Sequence, residues 1–231
     1  MNKILIHIFL LIIFIVFSNS ETVQAGNIPD DTGMWSGVKI TQPLPFGFGI
    51  SLKQALRLKN DWTDLAQTYN DLTLSYNTNK FLSFDFNYRL SQRENTFSPV
   101  HIDQRFNLDM NTSYEIDKFG LTWRTRIQFR YRDIGRRENS DIPKKYWRNK
   151  FTLNYKLSKL LKPFVSYESF NEFSYDRKEY NKYRITAGSR FKINKRNSLK
   201  IAYLFQNSFN TSSPLTENIL RISYNYKLKK I

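Results

Sequence analysis

The chain has 231 residues, with 36 Lys plus Arg against 20 Asp plus Glu, a net charge of +16. It contains no cysteine, so disulfide scaffolds, thiol catalysis and Cys-ligated metal centres are excluded. Apolar residues make up 40% and aromatics 16%, too rich for a disordered chain, and the length suits one long all-β domain.

The first residues read as an address. Lys3 supplies a positive start, Ile4 to Phe17 is almost wholly apolar, and small or polar residues follow up to Ala25. That order is a secretory signal peptide, with cleavage expected after Ala25 and Ser20 as the second choice. The expected domains are a signal peptide over 1–25, a periplasmic segment or short strand over 26–46, and a barrel over 47–231. No apolar tract long enough for a spanning helix follows the signal. The segment Met34 to Ile40 has strand character but is cut off by Pro43 and Pro45.

After residue 45 the dominant signal is period-two alternation, the mark of strands whose two faces meet different surroundings. Leu121, Trp123, Thr125, Ile127, Phe129 and Tyr131 share one face, while Arg124, Arg126, Gln128, Arg130 and Arg132 share the other. The expected strands are 47–59, 68–78, 81–90, 102–116, 119–132, 146–157, 163–173, 181–193, 197–207 and 217–229. Segment 163–173 is the least regular, because Phe164, Val165, Tyr167 and Phe170 do not share a face. Most of these strands reach the nine to eleven residues that a bilayer asks of a tilted strand. Short links at 77–80, 117–118, 158–162 and 194–196 alternate with longer ones at 60–67, 91–101, 133–145, 174–180 and 208–216, as in outer-membrane barrels with periplasmic turns. The reading is an up-and-down antiparallel transmembrane β-barrel of ten strands, with twelve as the alternative, and with both ends in the periplasm. A soluble β-sandwich would show the same alternation. Strand length and aromatics on the apolar face near strand ends (Tyr69, Trp147, Tyr155, Tyr226) favour the barrel.

Several stretches carry a resemblance. They are Trp35, Arg105 to Asp109, Trp123 to Arg132, Trp147 to Tyr155, Lys162 to Phe170, Tyr183 to Gly188 and Asn218 to Tyr224. The most distinctive is Pro163-Phe164-x-x-x-Glu168-x-Phe170. With them the chain resembles a family of Gram-negative outer-membrane proteins known as domain of unknown function 2490 (DUF2490). The resemblance implies an outer-membrane barrel and carries no activity with it.

On the barrel reading the lumen receives a charge cluster of Arg89, Arg105, Arg124, Arg126, Arg130, Arg148, Arg184 and Arg190 with Asp85, Asp109, Glu115 and Glu168. Arg57, Arg132, Lys150, Arg221, Asp71 and Glu172 join it. A barrel of about ten strands lies near the filled end of the size range. A closed, ion-paired lumen is therefore the first expectation, because guanidinium and carboxylate pair bidentately. The excess of cations supports a second reading, a narrow anion-selective pore or a site for a small anionic ligand. Arg136, Arg137, Lys144 and Lys145 crowd one outer loop and suit the phosphates of lipopolysaccharide. Nucleic acid is not an expected partner, because the chain is addressed outside the cytoplasm and its charge is spread along strands. A monomer is expected, with no cofactor and no metal. A third reading is a lipid-modifying enzyme. A Ser–His mechanism needs a histidine, and the mature chain has only His101, with Ser98 and Asp103 nearby. No enzyme signature surrounds them, so a non-enzyme is the expectation.

Overall fold

The computed structural model describes residues 30–95, 98–132, 142–174, 177–211 and 213–229. The expected signal peptide and its cleavage site, and Arg136 and Arg137, lie outside the described residues.

Among the described residues the chain forms eleven strands that close into one barrel. They are β1 (Asp30–Pro43), β2 (Phe48–Lys59), β3 (Asp64–Asn77), β4 (Leu82–Asn95), β5 (Ser98–Ile116), β6 (Phe119–Tyr131), β7 (Lys144–Tyr155), β8 (Leu161–Ser174), β9 (Arg177–Lys192), β10 (Asn197–Ser208) and β11 (Leu215–Lys227). Each strand pairs antiparallel with its sequence neighbours, and β1 closes the ring by pairing parallel to β11, from Asp30 opposite Thr216 to Thr41 opposite Lys227.

The expected ten strands, or twelve, are therefore corrected to eleven, and the barrel starts at Asp30 rather than at 47. The missing strand is the Met34–Ile40 segment, extended at both ends. Its two prolines do not interrupt it. Pro43 sits at its last position and Pro45 begins a short 3-10 turn, both places where a missing amide hydrogen is harmless. An odd count has a geometric consequence. In a meander each strand reverses the last, so strands one and eleven run the same way and must pair in parallel. β1 then enters at the end opposite to that where β11 leaves, whereas the expected strand set began and ended on one side.

One barrel end carries the connections 44–47, 78–81, 117–118, 156–160 and 193–196; we call it the turn end. Its turns are built by short polar side chains that accept amide hydrogens of the following strand. Asn79 Oδ1 accepts from the Phe81 and Leu82 amides, Ser158 Oγ from Leu160 and Leu161, and Asn194 Oδ1 from Arg196 and Asn197. The loop end carries 60–63, 96–97, 132–143, 175–176 and 209–214. Register shifts between Arg57 and Leu58, Arg93 and Asn95, and Phe170 and Asn171 bend strands near this end.

The barrel is polar inside and apolar outside. Leu52, Leu72, Leu74, Phe84, Phe86, Leu108, Ile127, Phe151 and Ile201 point outward and are exposed. Asp71, Asp103, Asn107, Asp109, Gln128, Arg148 and Glu168 point inward and are buried. Phe48 and Tyr76, Phe81 and Tyr114, and Phe119 and Tyr155 pair along the turn end, with ring centroids 4.8, 6.2 and 4.9 Å apart. Higher on the wall, Trp147 Nε1 donates to Thr125 Oγ1 at 2.8 Å, so an exposed indole N–H is satisfied within the sheet. Tyr69 departs from the sequence reading. It is buried and lies on the inward face, the face of Asp71, not among the outer aromatics.

Candidate functional site: the lumen

Inward side chains of nearby strands pair along the wall, and at mid-height they form a belt of ion pairs. Arg89 grips Asp71 through two bonds, Nε to Oδ1 at 2.5 Å and Nη2 to Oδ2 at 2.7 Å. Arg126 grips Asp109 in the same way, both bonds at 2.5 Å. These are the forked contacts that only guanidinium geometry allows.

Glu168 is the hub. Its Oε1 accepts from Arg124 Nη2 at 2.5 Å and from Arg148 Nη2 at 2.7 Å, and Arg184 Nη1 lies 3.9 Å from Oε2. Those arginines stand on β6, β7 and β9, so one carboxylate from β8 ties four strands together. Toward the loop end Asp103, 1% exposed, accepts from Arg93 at 2.8 and 3.0 Å and from Arg130 at 2.7 Å.

Aromatic rings fill much of the space between the charges. Arg57 stacks 3.9 Å above Trp35, and Arg184 and Arg221 flank the same ring at 5.3 and 5.6 Å. Arg89 lies 3.7 Å from the Tyr69 ring, and Arg148 and Arg184 lie 4.1 and 4.7 Å from Phe170. Cations held over ring faces inside a wall are stabilised by the ring quadrupole. This explains the irregular alternation of β8. Phe164, Glu168 and Phe170 face the lumen while Val165 and Tyr167 face out, so this strand carries aromatics on both sides.

The inward arginines and carboxylates anticipated from the alternation do share the inward face, but they fall into different settings. Arg89, Arg124, Arg126, Arg148, Arg184, Asp109 and Glu168 meet in the central belt. Arg130 is at Asp103 instead. Asp85 accepts from Asn111 at 2.9 Å. Glu115 sits at the turn end, exposed, with Lys156 at 2.7 Å and Lys162 at 3.5 Å. Arg105 stands directly opposite Arg89 on one side and Arg130 on the other, and its Nε is buried with no hydrogen-bond partner among the described residues. Arg190 lies near the turn end between Lys162 and Lys200.

Sequence reasoning did not single out Trp35, Tyr69, Phe170 or Lys200 as lumen residues. Parity alone would have found Lys200, and it would have found the three aromatics had such residues not been assigned to the lipid side on sight.

Of the basic outer-loop patch, Lys144 and Lys145 lie among the described residues. Among its described members, Lys144 turns to Glu172 at 3.6 Å, and Lys145 is on the opposite face of β7. His101 lies opposite Arg93 in β5, and the nearby Asp103 carboxylate is engaged by Arg93 and Arg130. Among the described residues no group of three or more His, Asp or Glu is placed to hold a metal ion.

Comparison with curated proteins finds no match. Among solved structures the barrel is similar to an anion-selective porin from Comamonas acidovorans, at 16% identity and a TM-score of 0.39, over 78% of this chain. The chain spans about half of that porin, 53% of its length. The family model described as "Protein of unknown function (DUF2490)" matches residues 32–230, nearly the whole barrel. The chain belongs to that family.

Proposed function

We propose that the protein is an outer-membrane β-barrel with a closed lumen, acting as a structural or ligand-binding barrel and not as an open pore or an enzyme. The observation that carries this reading is the inversion of polarity: apolar side chains cover the outer wall and ion pairs fill the interior. Such a wall suits hydrocarbon, and a sheet can cross it only when closed on itself. On this reading the short turns face the periplasm, and β1 begins at the cell surface. The outer wall would take membrane lipid as its partner, and Lys145, on the outward face of β7, would contribute charge toward lipopolysaccharide phosphate.

Closure rests on the Glu168 belt. What supports it is that Arg124, Arg148 and Arg184 reach one carboxylate from three separate strands and crowd the lumen at that level. Planar-bilayer recording on protein whose folding is shown by a heat-dependent gel shift tests the reading. No stable conductance is expected. Long-lived openings with anion preference would replace it with the channel reading, which the excess of lumen cations would then explain.

A further inference from the structure

The belt divides the lumen unequally. On its loop side Asp103 offsets Arg93 and Arg130. On its turn side stand Lys39, Lys53, Arg190, Lys200 and Arg221, and none of them forms an ion pair with a carboxylate among the described residues, while Lys150 stands at the belt itself, directly opposite Glu168. The inward-facing acids at this end are Asp85, which accepts from the neutral Asn111 amide, and Glu115, which is paired with Lys156 and Lys162.

Register makes the arrangement deliberate. Lys39 pairs directly with Lys53 across β1 and β2, and Arg190 pairs directly with Lys200 across β9 and β10. Like charges directly opposite one another in a sheet are destabilising. The strongest charges acting on the Lys200 ammonium are those of Lys150, Arg221, Arg190 and Lys53, from four other strands, and all are positive.

Three of these cations are held by aromatic side chains instead of by carboxylates. Lys200 lies 4.1 Å over Phe164, Arg221 5.6 Å from Trp35, and Lys53 donates to the Tyr69 hydroxyl at 3.2 Å. Gly37 leaves room for Lys53, whose Cε would sit 3.1 Å from a Cβ at that position. Lys39, Lys53, Lys150, Lys200 and Arg221 are half-buried and Arg190 is exposed, so the chamber keeps contact with solvent.

We propose that this turn-side chamber binds a small solute bearing several phosphate charges, which enters from the turn end and stops at the Glu168 belt. Ammonium groups are compact charges with three donors each, suited to clustered phosphate oxygens. This proposal deepens the reading of the barrel as closed and rests on it.

The test uses the folded full chain in detergent, with inorganic tripolyphosphate as the probe, followed by titration calorimetry and by Trp35 fluorescence. Trp35 faces the lumen, and the other tryptophans, Trp62, Trp123 and Trp147, are replaced by Phe for the optical arm. Saturable binding at low salt is expected, weakening steeply as salt rises, and weakening at least tenfold in Lys53→Gln/Lys200→Gln. Lys144→Gln, at the loop end, should bind as the parent does. No binding to folded protein, or equal binding by the double variant, would overturn the chamber. Citrate bound as well as tripolyphosphate would overturn the assignment to phosphate. If the double variant fails the gel-shift test, each single variant is titrated instead, with a loss of at least threefold expected from either. Conductance on the same preparation separates the two readings. Binding by a conducting barrel sinks the closed lumen and keeps the site, whereas silence without binding does the reverse.

Discussion

At the scale of single residues, Glu168 carries more than its share. Three guanidinium groups converge on it inside the barrel. Removing the one acid would leave several buried cations facing each other, and breaking a buried charge pair this way typically removes about 3–5 kcal/mol. Glu168→Gln should therefore lower unfolding stability by about 3 kcal/mol in urea titrations followed by tryptophan fluorescence. Glu115→Gln gives the contrast. Glu115 also meets two lysines, but in water at the turn end, where solvent screens the pair, and no measurable change is expected. Which residues face inward was legible in the sequence, because strand parity assigns them two by two. Which arginine meets which acid was not. Arg124 reaches from β6 across β7 to Glu168 on β8, and that depends on register and barrel curvature, to which parity is blind. Tyr69 was misplaced for a chemical reason. Tyrosine is equally at home in a membrane girdle and over an arginine, and only its neighbours decide.

At the scale of elements, the instructive strand is β1. Its alternation is thin because Gly33 and Gly37 stand on the inward face, where hydrophilic side chains mark the other strands. Both are required by close approach. A Cβ at Gly33 would come 2.8 Å from the Leu58 carbonyl oxygen, and one at Gly37 would come 2.8 Å from Ala55 Cβ. A narrow barrel needs such tight places, and the feature that hid the strand is the feature that lets it close. Gly188 is the tightest. A Cβ there would sit 2.3 Å from the Ile201 carbonyl oxygen and 2.5 Å from Ala202 Cα, both backbone atoms that cannot step aside. Gly188→Val should block closure between β9 and β10 and abolish the heat-modifiable gel band. Gly49→Ala should fold normally, since its Cβ meets only the Gln42 carbonyl oxygen at 3.7 Å. The turns were more legible than β1. The Asn and Ser residues that cap them act locally, so sequence alone located four of the turn-end links.

At the scale of the whole molecule, the outer wall decides what the protein is for. Leu72 is 47% exposed, Leu108 53% and Leu52 54%, and similar residues continue around the ring. A water-soluble monomer rarely leaves so continuous an apolar surface uncovered. Composition could not reveal this, because a sandwich with the same alternation buries the face that this barrel presents. Closure of β1 on β11 is what sends that face outward. On the membrane reading this wall has a depth profile that can be measured. Leu72 lies mid-strand in β3, and Val100, also exposed, lies near the loop end of β5. Arginine on a lipid-facing wall costs about 2–4 kcal/mol at the midplane and about 0–1 near the interface. In liposomes, Leu72→Arg should therefore lose about 2–4 kcal/mol of folding free energy in urea titrations, and Val100→Arg less than about 1. Equal small effects at both positions would mean that the wall meets water or another protein, and the membrane reading would fall with them.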